Sequence, residues 1–364
     1  MHIPFCVKKC PYCNFYSTTD LSIKDRFMDA LLAEIGMADF FAFDTLYIGG
    51  GTPSVLKSRE IGRIVEAVYA KFKVGNSAEV TVEVNPGTIT CKELKEYKAL
   101  GVNRISIGTQ SFSDVNLEFL GRIHSAKDSE NAINNARDAG FDNISIDLIY
   151  ALEHQTKKDW VLDLEKALEF KPEHISCYML TYEPDTPMGA DVKKQPLDDN
   201  ITADMFETTA CILKKAGFIH YEISNFARSD KHRSRHNQKY WSFSPYLGFG
   251  PSAHSFMESE RFWNIKDVKK YIEKINLGSK PVEKTESLNL TQRIMETIYL
   301  GLRTSDGIDM VMFKDRFNMN FEKEFSGIMA EFKEQGFLEI RKNRCRLTSK
   351  GLLFQEGIAL RFLS

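Results

Sequence analysis

An α/β architecture is predicted: six βα units forming an open, partial TIM-like (β/α)6 barrel, followed by a C-terminal unit that is helical and winged-helix-like. Three features of the 364-residue sequence predict it. Short β-branched runs alternate with longer amphipathic ones as far as residue 216. Glycines and unusual polar residues collect just after the short runs, where parallel α/β folds bind their ligands. Beyond about residue 265 the pattern turns helical, with one late hairpin.

The first strand is a stub at 1–3. Strands follow at 45–48, 79–84, 104–108, 143–149 and 174–180, and helices fill the intervals at 24–38, 59–73, 92–100, 129–139, 157–170 and 201–216. Two of these helices stop at glycine, at Ala139-Gly140 and Ala216-Gly217, because glycine accepts the left-handed conformation that ends a helix. Six units are too few for an eight-unit barrel, so the barrel is open. A further strand at 218–223 follows the last helix. Residues 229–256 read as irregular and rich in Ser, His and aromatics. Helices are then expected at 268–275, 290–303 and 322–335, a hairpin of 337–340 with 344–347 around Lys342-Asn343, and a last helix from Ser349. The expected division is a barrel at 1–228, an irregular segment at 229–264 and a C-terminal unit at 265–364.

Composition excludes several classes. Lys and Arg number 48 against 50 Asp and Glu, a formal charge of −2, which argues against a protein that coats nucleic acid. The basic hairpin carrying Arg341, Lys342, Arg344 and Arg346 reads as a solvated turn rather than a phosphate contact. No apolar run approaches the ~20 residues that span a bilayer. There is no secretory signal pattern and no amphipathic anchor. Seven cysteines, an odd number, rule out a disulfide scaffold and point to a reducing, cytoplasmic setting.

The sharpest signal is Cys6-x-x-x-Cys10-x-x-Cys13. Pro4 and Pro11 disfavour a helix here, so the segment is a loop able to wrap three thiolates around one metal centre. Structural zinc normally takes four protein ligands, whereas a [4Fe–4S] cluster held by three thiolates leaves one iron open to an external ligand. His2 as a fourth ligand to zinc is the plain alternative. Cys91, Cys177, Cys211 and Cys345 are scattered and read as ordinary residues. Beyond the strand ends come Gly49-Gly50-Gly51-Thr52-Pro53, Glu83 and Asn85, Gln110 and Ser111, Asp147, and Thr181 with Glu183. An acid within an apolar strand, as at Glu83 and Asp147, is costly to bury unpaired, so a polar ligand at one rim of the barrel is expected. Taken singly, these residues also read as helix caps.

Cys-x-x-x-Cys-x-aromatic-Cys, with Tyr12 as the aromatic, resembles the cluster loop of the radical S-adenosylmethionine (SAM) superfamily. The string from His2 to Phe15, with the later segments Glu83-Val-Asn-Pro-Gly87, Gly108-Thr-Gln-Ser-Phe112, Asp147-Leu-Ile-Tyr150 and Tyr221-Glu-Ile-Ser-Asn-Phe226, is similar to the branch holding oxygen-independent coproporphyrinogen III oxidase and its heme-chaperone relatives. The resemblance covers nearly the whole chain. It implies a radical SAM barrel, a [4Fe–4S] cluster on Cys6, Cys10 and Cys13, and SAM on the open iron. Carried over, Gly50 and Gly51 admit the methionine part of SAM and Thr52 adds a hydroxyl. Glu83 and Gln110 meet polar SAM groups, Arg122 faces its carboxylate, Asp147 lines the same pocket, and Thr181 lies beside the adenine.

Within that branch, two departures favour a heme chaperone over the oxidase. The oxidase has a fourth cysteine two residues beyond the third, where this chain has Phe15, and a long segment before its cluster loop. A third feature is positive: His236-Asn237-Gln-Lys-Tyr240-Trp241 resembles a His-Asn-x-x-Tyr-Trp motif linked to heme in the chaperones. Imidazole is a good axial ligand for heme iron, and Tyr240 and Trp241 offer flat apolar surface. The alternative is that His236 and Trp241 plug the barrel. The implied partners are heme, or a porphyrinogen, and an acceptor protein for heme, with a homodimer also found in the family. If the chain is an enzyme, it is the oxidase, decarboxylating two propionates of coproporphyrinogen III. The family usually carries a Tyr just before the His of His-Ile-Pro. Here Met1-His2 opens the chain, so either an upstream residue supplies that contact or SAM is held more weakly.

Overall fold

The computed structural model describes residues 1–362 and contains an eight-stranded sheet in the order β1-β2-β3-β4-β5-β6-β8-β7. Strands β1 (His2–Ile3), β2 (Ala42–Gly50), β3 (Lys73–Val84), β4 (Arg104–Gln110), β5 (Ile144–Tyr150) and β6 (His174–Met179) pair in parallel, each with the next. Between them run α1 (Lys24–Met37), α2 (Ser58–Lys71), α3 (Cys91–Ala99), α4 (Asp114–Phe119), α5 (Ala126–Asp138) and α6 (Lys157–Glu169). After β6 come α7 (Pro187–Ala190) and α8 (Asp199–Lys215). The expected strand at 218–223 is β7 (Ile219–Glu222), and an unexpected second strand, β8 (Asn225–Ala227), pairs with it and lies antiparallel to β6.

Helix starts follow from capping chemistry. Thr90, Ser125 and Thr156 each accept a hydrogen bond from the backbone three residues on, and Glu93, Asp128 and Asp159 return one. These boxes start α5 at Ala126 rather than at 129. The strands alternate. Ile48, Val82, Ile105, Ile146 and Ile175 are fully buried toward the helices. Tyr47, Glu83, Arg104, Ser106, Asp147 and Ser176 face the other way, into the barrel. A closed TIM barrel fills its interior with branched apolar side chains. This open one keeps a polar lumen, which explains the acids in apolar strands.

The segment expected to be irregular holds α9 (Arg235–Trp241), capped by Ser234, and strands β9 (His254–Met257) and β10 (Glu260–Asn264). With β11 (Val282–Ser287) these two form a separate antiparallel sheet, β11-β10-β9. Strand β11 was not expected because it is an edge strand of largely exposed polar residues, held by pairing with β10 rather than by a buried face. Helix α10 (Val268–Asn276) packs on α1. There Glu34, 7% exposed, accepts hydrogen bonds from Tyr271 Oη (2.6 Å), Asn264 Nδ2 (2.6 Å) and the Gly250 amide (2.8 Å). The buried residues of α10, Val268, Tyr271, Ile272 and Ile275, share one apolar cluster with the barrel strands.

The C-terminal unit comprises α11 (Leu290–Leu302), β12 (Ile308–Asp309), α12 (Met310–Phe317), α13 (Phe321–Glu324), α14 (Ser326–Glu334), β13 (Leu338–Arg341), β14 (Arg344–Leu347), α15 (Ser349–Leu352) and α16 (Gln355–Arg361). Its core gathers Phe313, Phe321, Phe332, Leu338, Cys345 and Phe362. The single helix expected at 322–335 breaks at Phe325 (ψ 21°), and α12 forms where no element was expected. The hairpin is as expected, with Lys342 and Asn343 both at positive φ (50° and 59°). Its cations are partly neutralised: Arg344 pairs with Asp309 at 3.0 Å and Arg346 with Glu339 at 2.7 Å. The unit is tied to the barrel by Arg303 Nε on Glu222 Oε2, 3.1 Å.

Candidate functional site

Strand β1 delivers the cysteine loop to the carboxyl ends of the barrel strands. It pairs with Gly49 and Gly50 of β2, so the loop begins against the glycine turn. A Cβ on Gly51 would lie 2.7 Å from the Phe5 carbonyl oxygen, closer than packing allows, and Gly50 has φ 111°. Only glycine lets these two backbones meet.

Cys6, Cys10 and Cys13 line one cavity of ≈ 410 Å³, together with every residue expected at SAM: Tyr12, Gly50, Gly51, Thr52, Glu83, Gln110, Arg122, Asp147 and Thr181. The thiols are half-buried. A hydrogen-bonded chain joins two of them. Thr52 Oγ1 donates to Cys6 Sγ (3.4 Å) and accepts from Asn85 Nδ2 (2.9 Å). Asn85 Oδ1 accepts from Arg122 Nη2 (2.8 Å), and Arg122 Nη1 reaches Cys10 Sγ (3.6 Å). Burial pushes the Cys13 thiol up, a backbone hydrogen bond opposes it, and Cys10 and Cys6 raise it further. Three sulfur donors thus share one cavity wall, and binding of a metal centre would draw off their protons.

Those donors fit an iron–sulfur cube better than a single zinc ion. Among the described residues no three His, Cys, Asp or Glu side chains converge on one ion, whereas a cube takes its thiolates at separate corners. His2 is not a fourth ligand: its Nε2 meets the Tyr16 carbonyl at 2.9 Å, under Gly50, and it forms no part of the cavity wall.

Two carboxylates face the lumen. Glu83 accepts from Tyr47 Oη (2.6 Å) and the Gly50 amide (3.1 Å). Burial lifts its pKa to about 7, against the pull of the Tyr47 hydrogen bond and with help from Asp147. Asp147 accepts from Ser176 (2.6 Å), Ser106 (2.8 Å) and Ser145 (3.1 Å), and burial raises it too. Gln110 ends β4 at φ 65°, where the β4–β5 register shifts, with its side chain on the cavity wall. Sequence reasoning missed Tyr47, Arg104 and Ser106. The signal was there: 104, 106, 108 and 110 share one face of β4, opposite its isoleucines.

The four motif residues of α9 do not share one face. The helix lies at the amino ends of the barrel strands, away from the cysteines, where Glu79 accepts from the Arg235 and His236 amides (3.2 and 3.1 Å). His236 stacks on Tyr47 and has both ring nitrogens engaged, Nδ1 with Thr45 Oγ1 (3.0 Å) and Nε2 with Tyr240 Oη (2.9 Å). Burial pushes its pKa down to about 3. Asn237 lines the lumen. Trp241 lies under the Arg303 guanidinium (4.6 Å), on the wall of a groove of ≈ 390 Å³ shared with the C-terminal unit.

Comparison with known proteins agrees with this architecture. The signature of the radical SAM superfamily matches residues 1–167, and that of the HemN C-terminal domain matches 288–354. The heme chaperone HemW of Lactococcus lactis is 34% identical over 371 residues, covering 100% of this chain and 96% of that protein. The chain belongs to the HemW family. The HemW of Bacillus subtilis is 33% identical, covering 100% of this chain and 98% of its own. Among solved structures, coproporphyrinogen III oxidase (HemN) from Escherichia coli, a radical SAM enzyme, superposes with a TM-score of 0.86 at 24% identity, covering 100% of this chain and 89% of that one. That likeness shows the fold: a HemN-like radical SAM barrel with a C-terminal helical unit. Membership of the superfamily implies an iron–sulfur cluster and SAM. No helix among the described residues is long and apolar enough to cross a membrane.

Proposed function

We propose that this chain is a heme chaperone that holds a [4Fe–4S] cluster on Cys6, Cys10 and Cys13, binds SAM beside it, and passes heme to an acceptor protein in the cytoplasm. The observation that carries the reading is three cysteines on one cavity wall with Phe15 at the oxidase's fourth position, in a chain similar end to end to proteins named heme chaperones. When bound, the cluster supplies one iron free of protein ligands, which SAM can chelate. The chain does the rest. Gly50 and Gly51 open the backbone toward the methionine part, Arg122 holds the carboxylate, and Glu83, Gln110, Asp147 and Thr181 surround the polar nucleoside. Heme falls to the α9 motif, with His236 as the candidate iron ligand beside Tyr240, and Asn237 and Trp241 facing the lumen and the neighbouring groove on either side. The neutral imidazole is the ligating form, but Nε2 must first exchange the Tyr240 hydroxyl for iron.

Two measurements test this. Anaerobic reconstitution should give iron and sulfide near four each per chain, lost when Cys6, Cys10 and Cys13 are all changed to Ala. Heme titration should give a Soret band in the wild type that weakens in His236→Ala. No band in the wild type, or equal binding by the variant, rejects the heme assignment. Protoporphyrinogen IX formed from coproporphyrinogen III with SAM and a reductant would instead place the chain with the oxidase.

A further inference from the structure

Arg104 opens β4 on the lumen face and is 2% exposed. Buried guanidinium groups are normally paired, because an uncompensated charge inside a protein is expensive. The Arg104 side chain has no hydrogen bond, ion pair or ring beneath it among the described residues, and its Nε is buried without a partner. The groups that face it are already committed. Asp147, whose charge it helps to stabilise, is held by three serines, and Glu83 is held by Tyr47 and Gly50. His174 is bound by Ser145 and Tyr221 at 2.8 Å each, and His236 by Thr45 and Tyr240. Both imidazoles are kept neutral by burial. Asn237, entering the same lumen from α9, has no partner for its side-chain amide among the described residues. A bare cation and a bare amide therefore look into one polar cavity, at the end away from the cysteines.

We propose that Arg104 and Asn237 form a carboxylate subsite that takes one acid side arm of the tetrapyrrole. This rests on the heme-chaperone reading, since heme's anionic groups are its two propionates. The guanidinium fork matches a carboxylate in two parallel hydrogen bonds, and the Asn237 amide can donate a third. SAM also carries a carboxylate, but Arg122, beside Cys10, stands at the other end of the cavity for that group. The subsite gives the α9 motif a role within the barrel that His236 and Trp241, turned elsewhere, do not fill. It also explains a stability cost the fold retains.

The test compares heme with its dimethyl ester, in which both propionates are blocked, by Soret titration of wild type, Arg104→Met, Arg104→Lys and Asn237→Leu. Wild type should prefer the free acid at least tenfold. Arg104→Met should lose at least tenfold for the acid and little for the ester, so that the preference collapses. Lys should keep part of it, and Asn237→Leu should lose a smaller share. SAM binding by Arg104→Met, measured by equilibrium dialysis, should stay at the wild-type value, and the ligand-free variant should unfold at a denaturant concentration no lower than wild type. Wild-type preference retained in Arg104→Met overturns the subsite. So does equal loss of acid and ester in a destabilised variant, which would make Arg104 structural, or loss of SAM binding alone, which would give the guanidinium to SAM. If wild type binds neither tetrapyrrole, the heme-chaperone reading fails first and takes the subsite with it.

Discussion

The His236 imidazole stacks on the Tyr47 ring, centroids 5.0 Å apart at 22°, and the Tyr47 hydroxyl donates to Glu83 at 2.6 Å. The motif helix at one end of the barrel is thus connected, through a single tyrosine, to a carboxylate facing the lumen. Any movement of α9 that frees His236 must disturb Tyr47, and with it the protonation of Glu83.

Histidine burial sets an acid-side signature. His236 stays neutral in the fold down to about pH 3, while an unfolded histidine takes its proton near 6.5. The unfolded state binds more protons across that window, so stability falls as pH drops from 6.5 toward 3. His236→Phe keeps a ring on Tyr47 and removes the titration. Its stability deficit relative to wild type, read by urea unfolding, should shrink by about 1.4 kcal/mol per pH unit below 6.5. A deficit independent of pH would mean the imidazole is not held neutral.

Glu83 works with the opposite sign. Its folded pKa near 7 lies above the ordinary glutamate value, so its share of stability is complete below about 4.5 and is lost as pH rises through 7. Glu83→Gln should match wild type at pH 4.5 and exceed it by roughly 1–3 kcal/mol at pH 8, while binding SAM more weakly. Parallel stability curves for the two proteins would contradict this.

Asn85 links the two flanks of the cysteine loop, giving a hydrogen bond to Thr52 and taking one from Arg122. Asn85→Leu fills similar space without either bond. We expect a loss of about 1–2 kcal/mol in stability, from the donors and acceptors left unpaired. SAM affinity should fall about tenfold as Arg122 loses its anchor, with cluster iron content unchanged. Unaltered SAM dialysis would show that Arg122 is positioned without Asn85.

Glu222 is fully buried and meets Arg303 at the junction between the barrel and the C-terminal unit. Arg303→Met strands that carboxylate and uncovers Trp241, so unfolding free energy should drop by about 3–5 kcal/mol. The double variant with Glu222→Gln should recover most of it. Failure of the second substitution to rescue the first would mean that Arg303 acts by packing on Trp241 rather than by charge.

Much of this molecule is legible in its amino-acid order. The βα rhythm, the polar residues beyond the strand ends and the three-cysteine loop are local in sequence, because strand pleat, capping boxes and metal-ligand spacing all act over a few residues. What escaped was non-local. Strand β11 exists only because β10 pairs with it. Strand β8, Asn225–Ala227, was not expected because it is held by antiparallel pairing with the distant β6.

The chain by itself determined the six-unit parallel barrel and its cysteine loop, since strand alternation and ligand spacing act locally, and the resemblance of its motifs implied the cavity wall of Tyr12, Thr52, Glu83, Gln110, Arg122, Asp147 and Thr181. Only the tertiary structure divided the α9 motif, turning His236 onto Tyr47, Asn237 into the lumen and Trp241 beneath Arg303. The physical reason is that a short helix fans successive residues about 100° apart, and which neighbour meets each of them depends on strands and helices far away in sequence.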